Sequence, residues 1–318
     1  MRLANLVEEY IAFKRARGMR FGSQARNLRL FSRRLGPVDI SQVTPKAVLA
    51  FLYRFKTITS YWHQTHSTLN AFYRYAITRQ YVKSSPLPMI VPKGPKYAQP
   101  YVYSPNEIRA LLDSSRILDD NNHRRGAFSV TTFRTLLLLL YGAGLRLSEA
   151  LSLTMADVNL ADSLLIVRNS KFFKSRFVPI GPKLTAVLQD YLNARRKTYG
   201  QPRIDSVLFL NYRRTALARQ TAERYFRVVR QQAGVRRTDG AHYQPRLHDF
   251  RSSFAVHRLV TWYQQGADVQ KLLPQLSTYL GHVHIAITQV YLTMTPELLR
   301  EANRRFEQYA LSEVNHVG

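Results

Sequence analysis

His248 and Arg251 stand three residues apart in the last quarter of the chain, His282 follows Gly281, and Tyr291 comes nine residues later. Arg146, far upstream, adds another cation. Together these are hydrogen-bond donors of positive character and one phenol, with no accompanying cluster of metal ligands. Such a set suits attack by a tyrosine on a phosphodiester. Fixed donors would hold the oxygens on which charge develops, and no metal is needed.

Each member also has a plainer reading. In the segment from Leu247 to Leu259, Leu247, Phe250 and Phe254 share an apolar helical face, and His248 and Arg251 lie about 100° round from it. They can point into a cleft, where Arg would fork onto two phosphate oxygens, or they can form a solvated basic face. Arg146 follows the buried-looking run Phe133 to Leu140 and the Gly142-Ala143-Gly144 break, so it needs an anion. That anion is a phosphate, or Glu149 one turn on, or both if Glu149 orients the arginine. The turn from Asn169 to Arg176 carries Lys171 and Lys174. A lysine at a turn tip can reach a DNA groove and deliver a proton, or simply sit in water. His282 and His284 could suggest zinc, but no cysteine or nearby carboxylate completes a ligand set. Tyr291 is one of 19 tyrosines, and its position singles it out. The phenol's ordinary pKa of ~10 calls for neighbouring cations to favour phenolate.

The partner is indicated by charge. Of 318 residues, 47 are Lys or Arg and 20 are Asp or Glu, giving a formal charge of +27. A folded chain this basic repels itself unless it meets a polyanion, and nucleic acid leads because Lys and Arg displace counterions from phosphates. A membrane surface is disfavoured. No apolar run approaches the ~18 residues of a span, and Leu136 to Leu140 is cut short by Tyr141-Gly142. The N-terminus lacks a signal-peptide core. The chain has no cysteine, which excludes disulfides, thiol catalysis and cysteine-held zinc. No cofactor or metal is expected, and the location is expected to be cytoplasmic, on the nucleoid.

The elements that must position these residues are mostly helices. Four are expected in the first 81 residues, the third opened by Thr44-Pro45 as N-cap and first helical position. Prolines 86, 88, 92, 95, 100 and 105 then mark an extended, basic, exposed linker. Ser104-Pro105-Asn106-Glu107 reads as a capping box starting a new helix. Leu164 to Val167 and Phe177 to Ile180 read as a hairpin across the basic turn. Helices follow at 184–199, 221–233, 247–263 and 296–309. The span from Gly266 to Leu276 is extra loop or helix.

Taken in order, Arg, hairpin Lys, His-x-x-Arg, Gly-His and Tyr resemble the tyrosine recombinase (phage integrase) family, in its compact bacterial or mobile-element form. The absence of an arm-binding domain ahead of residue 1 points the same way. The resemblance spans nearly the whole chain. It implies a mainly α fold with a small β-hairpin or sheet. Residues 1–85 would be a four-helix, SAM-like core-binding domain, 86–103 the linker, and 104–318 the catalytic domain. It further implies that Arg146 and Arg251 clamp phosphate, that His248 and His282 assist, and that Glu149 partners Arg146. Lys171 would be the general acid, with Lys174 as competitor because Phe172-Phe173 replaces the family's usual glycines. Tyr291 would be the nucleophile, linked to a DNA 3′-phosphate. Double-stranded DNA is the implied partner, with a homo- or hetero-tetramer acting on two sites in DNA integration or mobile-element movement. A type IB topoisomerase and a non-catalytic DNA-binding relic are the rival readings. Helix 296–309 could dock on a neighbouring protomer or on its own domain.

Overall fold

The computed structural model describes residues 1–55, 57–94, 99–118, 128–168, 175–241, 243–293 and 296–314. The chain divides into two compact units, Met1–Tyr97 and Ala98–Gly318.

The first unit contains α1 (Leu3–Ala16), α2 (Gly22–Leu35), α3 (Pro45–Leu52) and α4 (Ser60–Thr78). Thr44 caps α3 as its sequence demands, its hydroxyl accepting from the Ala47 N–H at 3.3 Å. Leu6, Tyr10, Leu28, Phe31, Val48 and Phe72 form one buried cluster. Burying each such side chain stabilises by roughly 1.5–3 kcal/mol. A buried polar pair, Asn27 Nδ2 to Thr65 Oγ1 at 3.2 Å, ties α2 to α4, and the Tyr61 hydroxyl donates to Asn27 Oδ1 beside it.

The second unit begins with a strap that is only partly exposed. Met89 and Ile90, upstream of it, are open to water as a linker should be. Tyr103, expected to be exposed with them, is instead fully buried. Its N–H donates to Ser253 Oγ at 2.8 Å and its ring stacks on Phe250. A proline-rich composition forbids helix but does not forbid packing, so proline density alone overran the exposed stretch. The capping box behaves as read. Ser104 and Glu107 exchange hydrogen bonds of 2.8 and 3.2 Å, and α5 (Pro105–Ser114) starts there.

Next come α6 (Val130–Ala143), α7 (Leu147–Ser152), β1 (Val158–Asn159), β2 (Leu164–Val167) and β3 (Arg176–Pro179). The strands form an antiparallel sheet of order β1-β2-β3, with Val167 opposite Arg176. The hairpin was legible from two short β-rich runs flanking a polar, basic turn, whereas β1 is too short to leave a pattern. Helices α8 (Pro182–Tyr199), α9 (Arg219–Gln232) and α10 (Asp249–Gln264) follow. The helix expected from residue 247 begins at Asp249, and His248 lies just ahead of it. The start is set by the buried Asp249 carboxylate, which accepts the Arg246 N–H at 2.8 Å. The extra sequence after Gly266 is helix α11 (Val269–Leu280), its periodicity obscured by an internal Pro274.

The chain ends in α12 (Ala286–Gln289), a 3₁₀ turn over Val290–Thr293, and α13 (Pro296–Val314). In this chain α13 packs on α10 of its own unit. Leu298 is buried and Arg305 donates to the Ala267 carbonyl at 2.8 Å. Leu299 and Phe306 remain exposed. The unit's buried core runs from α5 through α6, the sheet and α8 to α10, and a second cluster joins α10, α11, Tyr291 and Leu298. Among the described residues no helix is long and apolar enough to cross a membrane.

Candidate active site

The site forms where the end of α6, the start of α7, β3, the start of α10 and the end of α11 converge. Gly144 makes this possible. It ends α6 with φ +59°, and a Cβ there would sit 2.5 Å from the Phe254 ring. Only glycine tolerates both the backbone and the contact. Its carbonyl then accepts Arg251 Nη1 at 2.8 Å, while Arg251 Nη2 donates to the Leu280 carbonyl. Arg251 is 2% exposed. Burial and the nearby Arg146 charge push its pKa down to about 10, so it is still a cation at neutral pH.

Arg146 precedes α7. Its Nη1 donates to Glu149 Oε1 at 2.6 Å and its Nη2 to the Gly281 carbonyl at 2.9 Å. Both open alternatives for Arg146 thus survive. Glu149 pairs with it, and the arginine keeps a quarter of its side-chain surface open to an anion.

Glu149 holds more than its expected partner. Arg176, at the base of the hairpin, forks onto both carboxylate oxygens at 3.1 and 2.9 Å. Its Nε donates to the Tyr279 carbonyl at 2.8 Å. Sequence reading placed Arg176 in the solvated turn and missed this role. The available signal was its alternation with buried Val178, which puts both on the inner face of β3. A charge on that face must find a counter-ion.

Burial alone would raise the Glu149 carboxyl, but the bonds from Arg176 and then Arg146 override it and hold the pKa at about 2. The lowered value means that folding favours the ionised form. The drop from 4.5 to about 2 corresponds to about 3 kcal/mol of stability. That contribution is full above pH ~4.5 and lost as pH falls toward 2. Glu149→Gln should therefore lower unfolding free energy by about 3 kcal/mol at pH 7. The gap from wild type should close on acidification, as measured by denaturant unfolding at several pH values. A gap independent of pH would refute the electrostatic account.

The histidines differ in setting. His248 opens on one side to the cleft, while packed protein on the other side and the Arg251 charge lower its pKa. His282 is half-buried, and burial followed by the charges of Arg251 and Arg146 depresses its pKa to about 3. It is neutral at physiological pH. Its Nδ1 lies 2.7 Å from Thr288 Oγ1, and its ring centroid is 6.1 Å from that of Tyr291. Tyr291 is 7% exposed, within the cluster of α10 and α11. Arg251 and Tyr291 are close enough to interact electrostatically.

Arg146, Glu149, His248, Arg251, His282 and Tyr291 are therefore brought to one place. Lys171 and Lys174 lie outside the described residues, and the hairpin strands that flank them border the site. Among the described residues no three His, Asp or Glu side chains group to hold a metal. Beside Arg146 and His248 opens a groove of about 920 Å³ that Arg219, Arg227, Arg230 and Arg246 also line. Its one lining carboxylate, Glu223, is paired with Arg219 at 2.7 Å.

Residues 103–297 match the Phage integrase family. The chain belongs to that family. A putative integrase/recombinase, y4rB of Sinorhizobium fredii, is 37% identical over 95% of this chain and 96% of its own length. The tyrosine recombinase XerD of Staphylococcus saprophyticus is 27% identical over 96% and 99%. The fold is shared with the Tn1549 transposon integrase solved with a circular-intermediate DNA, at a TM-score of 0.67, 18% identity and coverage of 96% and 99%. The chain is thus a tyrosine recombinase enzyme, mostly helical with a small sheet, and neither the topoisomerase nor the relic reading finds support.

Proposed function

We propose that Tyr291 is the nucleophile of site-specific recombination on double-stranded DNA. Its Oη bonds to the scissile phosphorus and the 5′-oxygen leaves, producing a 3′-phosphotyrosyl link and a free 5′-hydroxyl. The phenolic proton is lost during attack, and the leaving oxygen gains one from Lys171, with Lys174 as the alternative donor. Arg146, Arg251, His248 and His282 hold the non-bridging oxygens as charge grows on them. Glu149 keeps Arg146 aimed. A 5′-hydroxyl from the other duplex then attacks the phosphotyrosine and restores the phenol. The link conserves bond energy, so neither ATP nor metal enters the balance.

The observation that carries this reading is the cluster of Tyr291, His282, Arg251 and Arg146, drawn together from distant segments of the chain, Arg146 meeting the Gly281 carbonyl across 135 residues. The five arginines that line the neighbouring groove, Arg146, Arg219, Arg227, Arg230 and Arg246, support duplex DNA as the substrate. Residues 1–85 act as the core-binding domain and 104–318 as the catalytic one. Exchange between two duplexes breaks four strands, and each chain supplies one Tyr291, so a homo- or hetero-tetramer on two sites fits the stoichiometry. The relative named as a putative integrase supports a role in DNA integration or mobile-element movement, carried out in the cytoplasm on the nucleoid. The test is incubation with a nicked suicide duplex bearing the cognate site, in EDTA. A covalent protein–DNA band on a denaturing gel is expected, and its absence would overturn the reading.

A further inference from the structure

Thr288 lies six residues beyond His282, beside the site. It is fully buried on α12, and its hydroxyl meets one partner among the described bonds, His282 Nδ1 at 2.7 Å. Two threonines on neighbouring helices spend their hydroxyl proton on a carbonyl one turn back, Thr278 on Pro274 and Thr261 on His257. Thr288 has no such bond among those described. The imidazole nitrogen is therefore the acceptor its proton needs.

The Thr288–His282 bond decides a tautomer. A hydroxyl that only accepted from Nδ1–H would leave its own proton buried without an acceptor, which is costly. A hydroxyl that donates to Nδ1 leaves nothing unmade. Nδ1 is then the acceptor, and a neutral ring must carry its proton on Nε2. Neutrality is itself supported by burial and the surrounding arginines, which depress the ring's pKa. Nε2 makes no hydrogen bond among the described residues, so its N–H is free for an incoming group.

We infer that Thr288 is a positioning residue that fixes His282 as a neutral Nε2–H donor, ready to bond a phosphate oxygen. The inference rests on the reading of the site proposed above. Thr288 and Tyr291 lie three residues apart on one helical stretch. The same turn therefore seats the nucleophile and sets the donor.

The experiment combines kinetics with spectroscopy on the full chain. Thr288→Val keeps the shape and removes the donor, and Thr288→Ser restores it. Single-turnover cleavage of the suicide duplex should fall on the order of tenfold to a hundredfold in Thr288→Val, by analogy with metal-binding histidines that lose an orienting partner. Thr288→Ser should recover most of the rate. In a His282→Ala background, Thr288→Val should add little further loss. Nitrogen shifts of ¹⁵N-histidine protein, with His282 assigned by the His282→Ala variant, should show Nε2 protonated in wild type. Undiminished cleavage by Thr288→Val, failure of serine to rescue, full additivity with His282→Ala, or a protonated Nδ1 would each overturn the inference. Absence of any adduct from wild type would instead overturn the functional reading on which it stands.

Discussion

Tyr291→Phe forms no covalent adduct with the suicide duplex and exchanges no strands, while still binding DNA. The substitution removes one oxygen from a ring that is 7% exposed and packed among α10 and α11 side chains, so the fold should persist. The chain has no cysteine. The nearby Tyr279 is pushed up to about 12 by burial and donates its hydroxyl to the Pro179 carbonyl at 3.1 Å. A phenol so held is a poor substitute nucleophile. The expected loss is therefore complete within the sensitivity of a denaturing gel. A band persisting in Tyr291→Phe would move the nucleophile to another residue.

Arg251→Ala should slow single-turnover cleavage by on the order of 10²–10³, the typical consequence of losing one fixed donor where charge develops. Arg251 works from a rigid mount. Its two Nη atoms bond the Gly144 and Leu280 carbonyls, so the guanidinium braces the glycine turn against the segment leading to His282. With a pKa of about 10 it is charged throughout the working range. Truncation leaves two buried carbonyls short of a donor, at about 1–3 kcal/mol each. Thermal unfolding should accompany the kinetics, with rates measured well below the variant's transition. Arg251→Lys keeps the charge and loses the planar fork, so it should recover little of the rate. Full recovery by lysine would show that charge alone suffices and that the two-carbonyl brace is dispensable.

The Glu149 and Thr288 variants probe the layer behind these residues. Glu149 acts through the two arginines it neutralises, and its loss should register first as acid-dependent stability. Thr288 acts through one histidine, and its loss should register as a rate and a tautomer. The two signatures differ because one partner is a buried carboxylate and the other a neutral hydroxyl.

The amino-acid sequence by itself determined the inventory and order of the chemistry. Arg146, the His248 and Arg251 pair, His282 and Tyr291 were singled out by their order along the chain, which resembles that of the tyrosine recombinase family, whereas helical spacing and the glycine break left each of them a plainer reading. Charge identified the polyanion, and the Ser104 capping box marked the start of α5. Only the tertiary structure decided which charges neutralise which. Arg176 and Glu149 are 27 residues apart, and Arg146 meets the Gly281 carbonyl across 135. Periodicity reports which face of an element is buried, but not what lies opposite that face. For the same reason the low pKa of His282, the buried Thr288 hydroxyl and the packing of Tyr103 emerged only with the fold. Desolvation and counter-ion placement are properties of the assembled interior, set by contacts that no local window of sequence contains.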